Sequence, residues 1–188
     1  CIRDSDCALL SLERVQLPFD DMASPIVGSR TLRGDANESV ADLAKLVGPV
    51  DGLVQSAVGA NNDAPTTSRI ATGELFDQAG LQALDRARVV VSVRLHGAIM
   101  ALAAGHYVVH LSYERKGFGA FEDLGLTEYV HNVYSFSPAT VANQVRTLQQ
   151  SPAARARYDE CVARAQERLH ASRRAIVTAM HTASRGAR

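Results

Sequence analysis

Apolar residues along the chain fall into short segments that alternate between continuous runs and helical spacing. The runs at residues 89–91 and 107–111 are rich in Val and predict strands buried on both faces, as in a parallel sheet. Between them, small apolar residues at 95–104 predict a buried helix that Gly105 ends. Two buried strands joined by such a helix form the βαβ unit of α/β domains.

The same alternation extends toward the N-terminus. Residues 25–32 and 53–55 predict two further strands. A helix is predicted between them, with Asn37 as its N-cap and Gly48 at its end. Residues 74–86 predict another helix, weakened by a glycine in its middle. The pattern as a whole predicts a doubly wound, Rossmann-like α/β domain with a parallel sheet.

The C-terminal part is predicted to be helical. Ser137-Pro138 and Ser151-Pro152 each match an N-cap followed by proline at the first helical position. The second helix carries one apolar stripe, formed by Tyr158, Val162, Ala165, Leu169, Ile176 and Met180. It would extend for about 30 residues, or about 45 Å. We expect a helix of that length to pack across a neighbouring domain or a second subunit.

These elements divide the chain into three parts. Residues 1–22 are interpreted as a linker, or as the trailing edge of an N-terminal domain that the sequence does not contain. Residues 23–150 form the predicted Rossmann-like domain, and residues 151–188 form the long helix.

Composition narrows the function classes. The chain has 188 residues, 46% of them hydrophobic, which is enough to bury a core. No apolar run approaches the roughly 18 residues of a membrane helix, and the first residues do not resemble a secretory signal. Three cysteines and six histidines show no metal-site spacing, so we predict free thiols, a reducing cytoplasm, no metal and no resident cofactor.

Charge is unevenly distributed. Residues 1–137 carry a net charge of −6 and residues 138–188 carry +6, and the 20 basic residues include only two lysines, Lys45 and Lys116. A basic tail can bind nucleic acid or an anionic membrane. A solvated helix face is the commoner explanation, and we therefore predict no nucleic-acid partner.

The candidate chemistry lies where predicted strands end. Arg94 and His96 stand at the junction of a buried strand and a buried helix, and Lys116 follows the next strand. The carboxyl ends of parallel strands lie at one edge of a sheet, where α/β domains bind ligands, so these residues should converge. A helix N-terminus and an arginine fork both favour carboxylates and phosphates. We predict an anionic substrate, with His96 available for acid–base work.

The earlier strands direct further polar residues toward that edge. The first strand supplies Arg30 or Arg33, and the second strand with the loop after it supplies Gln55, Ser56 and Asn62.

At these residues the sequence resembles the polysaccharide pyruvyl transferases. That family has Ser-x-Arg-Leu-His, an Ala-rich helix, Gly-x-Pro, a strand, and Tyr-x-x-Lys before a Leu-Gly-Leu segment. The matching positions here are Ser92, Arg94, Leu95, His96, Gly105, Tyr113, Lys116 and Leu124-Gly125-Leu126. The resemblance covers about residues 26–150, and it departs from the family where His106-Tyr107 follows Gly105 in place of x-Pro.

The resemblance implies a function. Such enzymes transfer pyruvate from phosphoenolpyruvate to two sugar hydroxyls as a ketal and release phosphate, in cell-surface or exopolysaccharide biosynthesis. The fold expected is a GT-B type with two Rossmann-like domains, of which this chain resembles the C-terminal one. His96 would be the general acid. The residues expected to bind substrate are Arg94, Leu95, Lys116, Arg33, Arg30, Ser92, Tyr113, Gln55 and Asn62.

The same resemblance implies partners and a location. They are phosphoenolpyruvate, a saccharide or lipid-linked saccharide acceptor and the N-terminal domain, in the cytoplasm or at the inner face of the membrane. A homo-oligomer is also compatible with the resemblance.

Two other interpretations stay open. Glu114 and Glu122 have the spacing of a Glu pair in some retaining GT-B glycosyltransferases, which use nucleotide sugars, although the order of the segments differs. Alternatively, the fragment is a non-catalytic binding module that uses its basic helix to contact a partner or a membrane.

Overall fold

The computed structural model describes residues 12–186, and within them every side chain except those of residues 60, 173 and 176–186. Residues 1–11 of the predicted N-terminal linker, with Cys1 and Cys7, lie outside the described residues. So do the side chains of Ile176 and Met180 in the predicted stripe. Among the helices described, none is both long and apolar enough to cross a membrane.

Within residues 12–186, six strands form one sheet in which every neighbouring pair is parallel, in the order β3-β2-β1-β4-β5-β6. The strands are β1 (Ile26–Gly28), β2 (Asp51–Leu53), β3 (Leu75–Phe76), β4 (Val89–Ser92), β5 (Tyr107–Ser112) and β6 (Val130–Asn132). The helices are α1 (Ala36–Val47), α2 (Ala64–Ser68), α3 (Gln78–Gln82), α4 (Leu95–Ala103), α5 (Arg115–Asp123), α6 (Pro138–Gln150) and α7 (Pro152–Gly186). Two 3₁₀ turns, Gly59–Asn61 and Thr127–Tyr129, precede α2 and β6. The Rossmann-like prediction is confirmed.

Strands β4 and β5 form the centre of the core. Every residue of both strands is buried, as their continuous apolar character predicts. Helix α4 connects them and ends at Ala103, and Gly105 two residues later has a φ of 95°, which lies in the region that favours glycine. Helix α1 packs against α6, and α3 packs against α4.

The long helix α7 is anchored on β5. The Tyr158 hydroxyl donates to the Val108 carbonyl (3.0 Å) and accepts from the Val108 amide (3.1 Å). Farther along the predicted stripe, Val162 and Ala165 are buried and Leu169 packs against the core. Both predicted N-caps are confirmed, since Ser137 and Ser151 accept hydrogen bonds from the third residue after each.

The prediction of one helix over residues 74–86 is wrong. Leu75 is exposed and Phe76 is buried, which is the alternation of a strand, and together they form β3 at the sheet edge. The Asp77 carboxylate then accepts a hydrogen bond from the Gly80 amide (2.7 Å) and begins the short α3.

The predicted N-cap of the first helix is also wrong. Asp35 is the N-cap residue instead. Asn37 is the second residue of the helix, and its side chain lies against the backbone of residues 30–32.

Candidate functional site

The strand order reverses between β1 and β4, which are neighbours in the sheet but distant in the chain. In open α/β sheets, ligands bind beyond the carboxyl ends of the strands at such a switch point. Gly28, which ends β1, pairs with Ser92, which ends β4. Arg30 and Arg94 therefore each stand two residues beyond the paired strand ends, one on each side of the switch point.

Arg94 is held by the loop that follows β2. Its Nε donates to Asp63 Oδ2 (2.6 Å), and its Nη2 donates to Asp63 Oδ1 (2.7 Å) and to the Asn61 carbonyl (2.9 Å). The hydrogen bonds that Arg94 donates to the Asp63 carboxylate raise the pKa of Arg94, so the guanidinium stays charged. The sequence predicts that this fork binds a carboxylate or a phosphate of the substrate. Its Nε–Nη2 edge is instead occupied by Asp63, a residue that the sequence analysis did not single out.

Arg30, which follows β1, contacts Tyr113, which follows β5. Its Nη1 donates to the Tyr113 hydroxyl (3.0 Å), and its guanidinium lies 5.0 Å from the centre of the Tyr113 ring. Arg33, the other candidate from this strand, is exposed three residues farther along. Arg30 is therefore the one of the two that contacts another predicted site residue.

The first turn of α4 contains His96 and a closely packed glutamine. His96 is exposed, whereas Leu95 packs partly buried against the core. Gln55, from the loop after β2, lies against Gly97, where a Cβ atom would stand only 1.4 Å from Gln55 Nε2. Glycine at this position therefore allows the Gln55 carboxamide to approach the N-terminus of α4.

Lys116 lies in the corresponding turn of α5. It is exposed and is the second residue of its helix, as His96 is of α4. The turn before α5 is fixed by Ser112, whose Oγ donates to the Glu114 carbonyl (2.8 Å). Helices α4 and α5 both begin at the carboxyl edge of the sheet, so their positive dipole ends favour an anion there.

Ser92 and Asn62 support the backbone of the site. Ser92 is buried, and its Oγ donates to the Arg94 carbonyl (2.9 Å). Asn62 is half-buried, and its Oδ1 accepts a hydrogen bond from the Ala64 amide at the start of α2 (3.0 Å).

A second histidine, His110, lies beneath the edge. Its Nδ1 is 2.8 Å from the Ser92 carbonyl, and its ring stacks on Phe121 with the centroids 5.3 Å apart. Burial lowers the pKa of His110 to about 4, so the ring is neutral near pH 7. The sequence gives no sign of this residue's position at the site, because His110 lies inside the apolar run that forms β5.

Two other site types can be compared with the geometry. No group of three or more His, Cys, Asp or Glu within residues 12–186 is arranged to hold a metal ion. Glu114 caps the start of α5 and Glu122 lies in its last turn, so about 12 Å of helix separates them. This separation follows from the spacing itself, so what counts against the nucleotide-sugar interpretation is the order of the segments.

The comparisons with known proteins agree with the motif-based resemblance. No solved structure matches the chain. Residues 26–115 match the family model described as polysaccharide pyruvyl transferase. This segment begins at β1, ends at the first residue of α5 and includes the switch point with Arg30, Asp63, Arg94 and His96. Over residues 26–115, just under half of its length, the chain is therefore similar to the polysaccharide pyruvyl transferases.

Proposed function

We propose that this chain contributes the donor site of a pyruvyl transferase that uses phosphoenolpyruvate. The observation that supports this most is the pair of arginines beyond the paired ends of β1 and β4, next to two helix N-termini. Both arginines lie inside the segment that matches the family. Phosphoenolpyruvate is a small anion with a phosphate and a carboxylate, and an edge of this kind offers each group its own donors.

The three cations at this edge, Arg94, Arg30 and Lys116, differ in their partners and therefore in their expected roles. Asp63 offsets the charge of Arg94, so Arg94 contributes mainly its remaining nitrogen, Nη1, as a directed donor. Arg30 is bonded to the Tyr113 hydroxyl rather than to a carboxylate. Lys116 adds a second cation in the first turn of α5. In this proposal Arg94 binds one anionic group of the donor, and Lys116 with Arg30 attracts the other.

His96 acts as the general acid. It protonates the methylene carbon of phosphoenolpyruvate, which leaves the central carbon electrophilic. One sugar hydroxyl adds to that carbon, the bond to the phosphate oxygen breaks, and a second hydroxyl then closes the ketal. Of the two hydroxyl protons, one restores His96 and the other leaves with the phosphate, so no oxidant or reductant is needed. Such acid–base steps contribute about 10²- to 10⁴-fold.

The acceptor in this proposal is a saccharide or a lipid-linked saccharide with two free hydroxyls in reach of each other. It approaches the open side of the sheet edge, where His96 and Lys116 are exposed. We place the reaction in the cytoplasm or at the inner face of the membrane, in the synthesis of cell-surface or exported polysaccharide.

Thermal protection tests which class of donor is bound. Phosphoenolpyruvate at about 100 times its dissociation constant should stabilise the chain by about 2.7 kcal/mol, because it binds only the folded state. For a chain of this size the melting temperature should rise by about 5–10 °C. Uridine and guanosine diphosphates should leave it unchanged. Protection by a nucleoside diphosphate but not by phosphoenolpyruvate would contradict the proposal and favour a glycosyltransferase.

A further inference from the structure

Arg94, which is expected to bind substrate, is paired with a buried aspartate, Asp63. The Asp63 side chain is only 2% exposed, against 19% for Arg94. An isolated carboxylate would be costly to bury at that depth, so the pair must persist for the fold to remain as it is. The guanidinium is therefore held in place before any ligand arrives.

The loop that carries Asp63 is itself tightly fixed. The Asp63 amide donates to the Ser56 carbonyl (2.7 Å), and the Asp63 carbonyl accepts from the Thr67 amide (2.9 Å). Thr67 is fully buried, and its hydroxyl donates to the Ser29 carbonyl at the end of β1 (3.1 Å). The position of Asp63 is thus set by β1 on one side of the switch point, and Asp63 in turn holds the arginine on the other side.

Because the guanidinium of Arg94 is planar, this restraint also fixes the direction of its remaining N–H bonds. Asp63 and the Asn61 carbonyl occupy Nε and Nη2 of Arg94, which fixes the plane and rotation of the group. The N–H bonds of Nη1 then point along a set direction. A lysine at this position could not be oriented in the same way.

We propose that Asp63 is a positioning residue that holds Arg94 in the orientation needed to bind an anionic group of the donor. The proposal rests on the proposed function, since it assigns to Asp63 a part in donor binding at the same site. The change in anion affinity on removing Asp63 distinguishes this role from a simple charge effect, because the two predict opposite signs. Removing a negative charge beside an anion site should strengthen anion binding, whereas releasing the arginine should weaken it.

The first test compares Asp63→Asn with a matched control. Asp51 pairs with Arg88 through one carboxylate oxygen, at the amino ends of the strands, so Asp51→Asn removes a largely buried ion pair far from the site. By calorimetric titration we expect phosphoenolpyruvate to bind Asp63→Asn about 10- to 100-fold more weakly than wild type, because small misplacements of binding groups have effects of that size. Asp51→Asn should bind as wild type does. Equal or tighter binding by Asp63→Asn would overturn the proposal.

A double-mutant cycle separates positioning from a structural role. Arg94→Lys keeps the charge but loses the planar fork, so adding Asp63→Asn to it should cost little further donor affinity. A full additional loss in the Arg94→Lys background would show that Asp63 acts through something other than Arg94, and would contradict the proposal.

A third measurement does not depend on the donor. The Nε–H of Arg94 should give a resolved, slowly exchanging ¹⁵N signal in wild type and in Asp51→Asn, and lose it in Asp63→Asn. Failure of wild type to bind phosphoenolpyruvate would refute the proposed function. The Nε–H signal would still decide whether Asp63 holds the arginine, and an unchanged signal in Asp63→Asn would overturn that.

Discussion

Two glycines at the sheet edge occupy equivalent positions but should respond differently to alanine. Gly97 is the third residue of α4, and Gly117 is the third residue of α5. Neither has a φ in the left-handed region, so alanine would strain neither backbone. Their surroundings differ, because a Cβ at Gly97 meets the far end of a flexible side chain and a Cβ at Gly117 meets buried strand residues.

The magnitude for Gly117→Ala follows from these distances. Its Cβ would lie 2.1 Å from Ser112 Oγ and 2.5 Å from His110 Nε2. Neither group can move easily, since Ser112 is bonded to the Glu114 carbonyl and His110 is stacked on Phe121. Overpacking of this kind costs about 3 kcal/mol at the upper end of its usual range. The better helix propensity of alanine returns up to about 1 kcal/mol, which leaves a net loss of about 2 kcal/mol.

At Gly97 the overlap is with the Gln55 carboxamide, which can leave by a change of rotamer. Gly97→Ala should therefore keep the stability of wild type or gain up to about 1 kcal/mol. Because it displaces Gln55 from the N-terminus of α4, it should still alter donor binding.

Thermal unfolding measures both variants. A loss of about 2 kcal/mol lowers the melting temperature by about 4–8 °C for a chain of this size, so Gly117→Ala should melt clearly below wild type and Gly97→Ala at or above it. Equal melting temperatures for the two variants would refute the account of how α5 packs on β5.

The remaining predictions concern the acid, a cation and the buried histidine. His96→Ala should reduce turnover in the assembled enzyme by about 10²- to 10⁴-fold without lowering the melting temperature, because the side chain is exposed; near-normal turnover would rule out the acid role. Lys116→Ala should mainly raise the Michaelis constant for the donor, and an unchanged constant would count against its role. Burial lowers the pKa of His110 to about 4, below its value of about 6.5 in an unfolded chain, so the unfolded state binds the extra proton. Stability should fall by up to about 3 kcal/mol as pH drops from 6.5 to 4, and denaturation midpoints of His110→Gln should show a flatter profile in that range; a profile as steep as that of wild type would contradict the assignment.

The sequence was most informative where one local rule determined the structure. Continuous apolar runs predicted β4 and β5, because a strand covered on both faces needs no polar residues. Short elements were harder to predict. Strand β6 has three residues and β3 has two, too few to establish a period, and α5 contains two glycines that weaken its helical pattern.

The same distinction applies to the site. Arg94, His96 and Lys116 could be placed at one edge from the sequence, because the parallel topology follows from the order of the elements. The pairing of Asp63 with Arg94 could not, since it depends on how the loop after β2 folds back across the switch point. An acidic residue in a loop at the carboxyl edge was the available signal. It was too common a feature to indicate a partner.

The central claim is that this sheet edge binds phosphoenolpyruvate through both of its anionic groups. Calorimetric titration of the wild-type chain with phosphoenolpyruvate, inorganic phosphate and pyruvate tests it directly. If both groups are bound, phosphoenolpyruvate should bind at least about 10-fold more tightly than either single anion, because each additional charge-assisted hydrogen bond contributes about 1.5–3 kcal/mol. Phosphoenolpyruvate binding no more tightly than phosphate would contradict the claim.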